Sequence, residues 1–345
     1  MVVNGQESVW RDVRSGVPQG SVLGPLLFVL FINDLLECTD TESSLYLFAD
    51  DNKLFRRIQS DQDCRSLQAD LIRMKEWTDK WLLTFHPDKC KYMRIGSTGA
   101  LDAGYKLDLD QQLPRIEIEK DLGVQIDDKL SFSNHISEKI NKANKIMGLI
   151  RRTFVSLDKT SFVPLYTSLV RPILEYANQV WNPYLVKDIV AIENVQRRAT
   201  RMLPGMKDKP YEERLREVNL TSLSYRRSRG DMIETFKIIK GYYDKEVGGD
   251  IFTLRNGPNT RGHNWRIFKE QVRLNKRKNS FPIRVVNNWN SLHRDVVESV
   301  SVDQFKRRLD RAWFGQDQKF NYRAQINTRD RQEDLVEEDL ESQAQ

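Results

Sequence analysis

Asp50 and Asp51 stand side by side between two short runs of β-forming residues, Leu45 to Phe48 and Lys53 to Phe55. Nucleotidyl transfer by two metal ions needs clustered carboxylates, because Mg2+ is a hard cation held through one or two protein oxygens together with substrate phosphates. Neighbours on a regular strand point to opposite faces, so a turn is the natural way to present one or both of these side chains in a cleft. Turns also select Asp for local hydrogen bonding, and the dipeptide alone decides nothing. A second chemistry lies in the basic groups Arg151-Arg152, Arg197-Arg198, Arg226-Arg227, Lys276-Arg277-Lys278 and Arg307-Arg308. With Tyr225, Trp265, Phe268 and Trp289 among them, they could contact phosphates and stack on bases. Such charges are more often solvated helix faces, and such tryptophans more often core. Cys38, Cys64 and Cys90, like His86, His135, His263 and His293, are too scattered for a zinc site. Three separated cysteines also argue against a disulfide framework and for a reducing compartment.

The elements that must position these residues are legible from periodicity. Residues 2 to 13 read as a strand leading to a turn, followed by a tight loop over Ser15 to Ser21 marked by Gly16, Pro18 and Gly20. Leu23, Leu26, Leu27, Leu30 and Phe31 then predict a largely buried helix. The runs around Asp50 and Asp51 predict a β-hairpin with Ala49-Asp50-Asp51-Asn52 as its turn. Leu67, Leu71, Met74, Trp77 and Trp81 form one helical stripe suited to the back of a sheet. Short strands are expected at Lys91 to Ile95 and near Ile116 to Ile126. From Ser133 the pattern turns helical, with further helices over Phe162 to Leu174, where Pro164 and Pro172 should kink or delimit, over Ile189 to Met202 and over 212 to 243. A Gly-rich passage follows, then a basic stretch and a last helix near 302 to 314.

Composition bounds the class. The chain has 345 residues, 39% hydrophobic and 10% aromatic, enough for two or three domains with real cores. Its net charge of +6 favours polyanionic partners, and Glu333, Asp334, Glu337, Glu338, Asp339 and Glu341 leave the rest more basic than that total. The longest apolar run, Leu26 to Ile32, is far short of the roughly 20 residues of a membrane span. With no signal-like start, the expectation is an intracellular protein, nuclear or cytoplasmic, with no membrane partner.

Several segments in order resemble one family. SGVPQGSVLGPLLFVLFINDL followed by LFADDNKLF is similar to two adjoining motifs of non-LTR (LINE-like) retrotransposon reverse transcriptases. WTDKWLLTFHPDKCKYM looks like the family's next motif, and KDLGVQIDDKLSFSNHI like its primer-contacting hairpin and first thumb segment. LYTSLVRPILEYANQVWNP, VQRRATRML, RGDMIETFKI and RVVNNWNSL resemble the region after the polymerase core in jockey-like and chicken-repeat-like elements. On this resemblance Asp50 is the principal metal ligand, Asp51 its neighbour, and Mg2+ the cofactor of a two-metal site. Phe48 precedes them where many relatives have an aromatic. Pro18, Gln19 and Gly20 match a loop along the template and incoming nucleotide, where a Gly permits close backbone approach. Lys89 matches a lysine that protonates or screens the leaving pyrophosphate, and Leu122 and Gly123, with Val124, match the primer-contacting turn.

The implied fold is α+β: a partial polymerase palm, an antiparallel sheet with helices on one face, over 1–128. A thumb-like helical bundle over 129–205, a basic mixed region over 206–315 and a disordered acidic tail over 316–345 are expected to follow. The implied partners are an RNA template, a DNA primer or target and a deoxynucleoside triphosphate. In the family a further metal-binding Asp and the fingers lie upstream of SGVPQG, and Glu7 and Asp12 match neither. A two-metal site incomplete in this way predicts little or no polymerisation by this chain alone, unless an upstream half of the element's protein complements it. The alternatives are a non-catalytic nucleic-acid-binding relic and a helical protein-interaction module.

Overall fold

The computed structural model describes residues 2–3, 5–7, 9, 20–96, 104–108, 111–154, 156–244, 251–255 and 262–328. Helices and small sheets coexist, as an α+β chain requires. Two compact units divide at 118/119, and Val124, early in the second, packs in its helical core.

In the first unit, β1 (Val2–Val3) pairs antiparallel with β2 (Gln6–Glu7), and α1 spans Leu23–Ile32. The central hairpin is β3 (Ser43–Phe48) with β4 (Asp51–Arg56), in register from Ser43↔Arg56 to Phe48↔Asp51. Helix α2 (Asp61–Lys80) starts at a capping box in which Ser60 and Asp63 bond reciprocally. Its apolar stripe is divided between two small cores. Met74 and Trp77 pack with Leu45, Leu47 and Leu54 of the hairpin, whereas Leu67 and Leu71 pack with Tyr105, Leu107 and Leu113. The latter cluster includes β6 (Lys106–Asp108) paired with β7 (Gln111–Gln112); nearby, β5 (Tyr92–Met93) runs parallel to β8 (Arg115–Ile116).

Two expectations are corrected here. Among the described residues no sheet exceeds two strands and one pair is parallel, so a single antiparallel sheet is not what α2 covers. Helix α1 is also not largely buried. Phe28, Phe31 and Ile32 reach the core, but Leu23, Leu26, Leu27, Val29 and Leu30 are exposed. A two-stranded ribbon and one helix offer α1 surface on one side only.

A buried carboxylate locks the hairpin base to α2. Asp70 is fully buried and accepts hydrogen bonds from the Asp40 N–H at 2.9 Å, the Ser43 hydroxyl at 2.5 Å and Arg73. Arg56, opposite Ser43 in the ladder, donates to Ser43 Oγ at 3.1 Å and pairs with Asp40 at 3.2 Å and Glu42 at 2.6 Å.

In the second unit β9 (Ile118–Asp121) and β10 (Val124–Asp127) form a hairpin, and Asp127 accepts from the N–H groups of Lys129, Ser131 and Phe132 to turn the chain into α3 (Ser133–Thr153). Helices α4 (Lys159–Leu165) and α5 (Arg171–Glu175) are joined by a π-helical turn over Tyr166–Val170. Pro172 has no N–H for the carbonyl four residues earlier, and the wide turn lies just before it, between the two prolines. After α6 (Asn178–Trp181) come α7 (Val186–Thr200), α8 (Tyr211–Glu217) and α9 (Leu223–Ile239). One apolar cluster joins residues from Val124 to Leu223, and a second joins α9 to residues as far as Ile326. The expected tail from 316 is therefore corrected as far as 328: Gln318, Tyr322 and Ile326 are buried, and Ser222 donates to the Gln318 carbonyl at 2.6 Å. The remaining acidic residues of that tail lie outside the described residues.

Replacing Asp70 by Ala leaves the Ser43 hydroxyl and the Asp40 N–H without an acceptor in a dry site. The expected cost to the first unit is about 3 kcal/mol, measured as a lowered urea midpoint, with Asp79→Ala on the exposed end of the same helix changing little.

Candidate metal-binding hairpin and nucleic-acid contacts

Asp50 and Asp51 occupy the tip of the β3–β4 hairpin, and both are exposed. Phe48↔Asp51 is the last ladder pair, so the turn is the two residues Ala49-Asp50, with Asp51 already on β4. Ala49 has φ +52°, the left-handed region that glycine favours. Holding a non-glycine residue there costs about 1 kcal/mol, and such strain persists where the surrounding structure imposes it. Neither Asp50, Asp51 nor Lys89 has a side-chain hydrogen bond or ion pair among the described residues. Their charged atoms are thus available to ligands. One face of the hairpin, Leu45, Leu47 and Leu54, is spent on α2. The opposite face carries Tyr46 stacked on Phe55 at 5.3 Å and the exposed ring of Phe48.

Lys89 is exposed at the end of a single 3-10 turn, Pro87–Lys89. Gly20 has φ +85°, a backbone conformation that glycine adopts readily. Pro18 and Gln19 lie outside the described residues. No group of three His, Cys, Asp or Glu side chains that could hold a metal occurs among the described residues. The two hard oxygen donors at the tip fit part of a Mg2+ shell, which ordinarily takes one or two carboxylates and fills its other positions from phosphates and water.

Leu122 and Gly123 form the two-residue turn of β9–β10, both with positive φ, +43° and +84°. That sign pattern is the hairpin-favouring type I′, which prefers Asn-Gly and here strains Leu122. Side chains from the helices hold the tip. Tyr176 donates its hydroxyl proton to the Leu122 carbonyl at 2.9 Å, and Lys139 Nζ donates to the Gly123 carbonyl at 3.0 Å. Tyr176 is itself fixed by Trp181, whose Nε1–H donates to its carbonyl at 2.6 Å. Fully buried His135 accepts the Gln125 N–H at Nδ1, 3.1 Å, with its ring against Trp181 at 5.2 Å. Burial, with Lys139 nearby, pushes His135 down to about 4.

The basic and aromatic candidates separate cleanly. Tyr225 and Trp289 are core, and Trp265 packs against the same cluster; Phe268 alone of the four is exposed. Arg226 pairs with Glu175, Arg227 is buried, and Arg197 lies over the Tyr211 ring at 5.5 Å. Arg151, Arg152, Lys276, Arg277 and Lys278 remain exposed. The RVVNNWNSL segment is structural: Trp289 donates to the Trp265 carbonyl, and Asn290 bonds both backbone groups of Ile267.

Sequence reading missed Asp70, Arg56, Tyr176 and Lys139. Asp70 did leave a signal, a charged residue on the apolar stripe three residues after Leu67 and four before Met74. Tyr176 and Lys139 act on backbone carbonyls, and periodicity carries no trace of that.

Residues 1–126 match the reverse transcriptase (RNA-dependent DNA polymerase) family. The chain is similar to RNA-directed DNA polymerases of Drosophila mobile elements. It is 26% identical over 226 residues to the RNA-directed DNA polymerase from mobile element jockey of Drosophila melanogaster, covering 63% of this chain and 24% of that protein. It is 29% identical over 250 residues to the probable RNA-directed DNA polymerase from transposon BS of the same species, 66% and 26% of the two chains. The probable polymerase from transposon X-element is 27% identical over 207 residues, 57% and 22%. The chain therefore spans about a quarter of the length of these curated relatives. No solved structure matches it. Among the described residues no helix is long and apolar enough to cross a membrane.

A His whose folded value lies below its ordinary 6.5 resists protonation only in the native state, so stability is full above about 6.5 and is lost as pH falls toward about 4. The second unit's melting temperature is expected to fall across that window, and His135→Gln to flatten the fall.

Proposed function

We propose that this chain is part of the RNA-directed DNA polymerase of a non-LTR retrotransposon and that Asp50 and Asp51 are metal-binding carboxylates of its polymerase site. The observation that carries the reading is a pair of unpartnered carboxylates at a strained hairpin tip, inside the residues that match the reverse transcriptase family. Mg2+ held there would neutralise phosphate charge and act as a Lewis acid on the transferred phosphoryl group. The chain's own residues do the positioning. Asp70 and Arg56 fix the hairpin base, and Phe48 presents an exposed ring beside the carboxylates. Gly20 shapes the loop proposed to follow template and nucleotide, and Lys89 offers an unpaired ammonium to the leaving pyrophosphate. In the second unit, Tyr176 and Lys139 hold the Leu122-Gly123 turn proposed to meet the primer. The proposed partners are an RNA template, a DNA primer and a deoxynucleoside triphosphate.

Manganese provides a readout that does not require turnover. Mn2+ binding in the presence of primer–template and nucleotide should weaken at least about tenfold in Asp50→Ala and broaden amide signals of Leu47 to Lys53 in the unsubstituted chain. Equal binding by both proteins, or broadening confined to other segments, contradicts the assignment.

A further inference from the structure

Residues Phe268 to Lys278 lie outside the family match, yet they carry five exposed cations within eleven residues. Lys269, Arg273, Lys276, Arg277 and Lys278 oppose a single acid, Glu270, in a chain whose total is only +6. Glu270 is taken by Arg277 at 3.1 Å, which leaves four exposed cations with no acidic partner among the described residues. Other cations of the unit are differently placed. Arg226, Arg229, Arg284, Arg294 and Lys306 are each paired with a carboxylate.

Apolar side chains stand among these charges. Phe268 is 53% and Leu274 73% exposed, although the neighbouring Ile267 is buried in the adjacent core. The backbone beneath Phe268 is held firmly. Asn290 receives the Ile267 N–H and donates to the Ile267 carbonyl, both at 2.9 Å, and Phe268 donates its N–H to Thr253 at 2.7 Å. An aromatic ring is thus kept in solvent on a rigid base beside unpaired ammonium and guanidinium groups.

We infer that Phe268 to Lys278 is a binding strap for single-stranded nucleic acid, with Lys269, Arg273, Lys276 and Lys278 on phosphates and Phe268 stacked on a base. A single strand offers both partners at once, regularly spaced phosphates and free π-faces. A duplex hides its base faces, and an acidic protein surface gives the ring nothing to stack on. A lipid surface calls for a long amphipathic helix with a continuous apolar face, whereas the only helix here is Asn275–Lys278. Nucleic acid as the polyanion agrees with the polymerase reading, but this site is separate from Asp50 and Asp51, and the test reads binding rather than metal or incorporation.

Fluorescence anisotropy of the full chain with a labelled single-stranded RNA of about 16 nucleotides, measured over a salt series, decides the matter. Combined Lys269→Gln, Arg273→Gln, Lys276→Gln and Lys278→Gln should reduce the slope of log K against log salt by about 3. Phe268→Ala should weaken binding about tenfold with the slope unchanged. Lys75→Gln with Arg294→Gln and Lys306→Gln, all at paired surface positions, should leave both quantities as they are. The inference is overturned by an unchanged slope in the fourfold variant at wild-type melting temperature, by an equal effect of the control, or by cations that matter only for phosphatidylserine vesicles.

Discussion

A two-stranded hairpin is marginal in water on its own, and the β3–β4 ribbon gains no further strand among the described residues. What holds its tip in place is therefore its base. The buried carboxylate of Asp70 gathers the Ser43 hydroxyl and the Asp40 N–H, and Arg56 closes the opposite strand onto the same group of side chains. Removing a charge of this kind from water is costly unless every lone pair finds a donor, and here the donors come from both the hairpin and α2. With the base fixed and Leu45, Leu47 and Leu54 packed on Met74 and Trp77, the tip can carry strain at Ala49 and leave two carboxylates without partners.

The second unit repeats the arrangement in another material. Its β9–β10 turn is also strained, at Leu122, and is also held from outside the ribbon, by Tyr176 and Lys139 bonding the two turn carbonyls. Both hairpin tips thus carry a non-glycine residue with positive φ. Elsewhere the unit satisfies its polar groups through side chains on backbone: Asp127 at the entry to α3, Asn290 under Ile267, and Ser222 on Gln318.

Much of this was legible in the residues because amphipathic periodicity is local. The hairpin, the stripe of α2, the span of α3 and the last helix followed from spacing alone. Burial of α1 did not, since its apolar residues report only that cover is wanted, not that a neighbour supplies it. The ordering of 316–328 was hidden for the converse reason: few apolar residues are there, but Tyr322 and Ile326 meet cores built far upstream. Asp50 and Asp51 were found through the company they keep, whereas Asp70 required knowing which face of α2 meets the hairpin. The basic pairs looked alike in sequence, and only the pairing of Arg226 and the burial of Arg227 separate them from the open strap at 268–278.

Amide hydrogen exchange in Asp70→Asn addresses the clamp most directly, because Asn keeps the shape while replacing one acceptor with a donor. Protection across Leu45 to Leu54 should drop while that of Ser133–Thr153 stays as in the parent chain. Undiminished protection of the hairpin would show that its tip is held by something other than Asp70, and the account of how the carboxylate pair is positioned would be wrong.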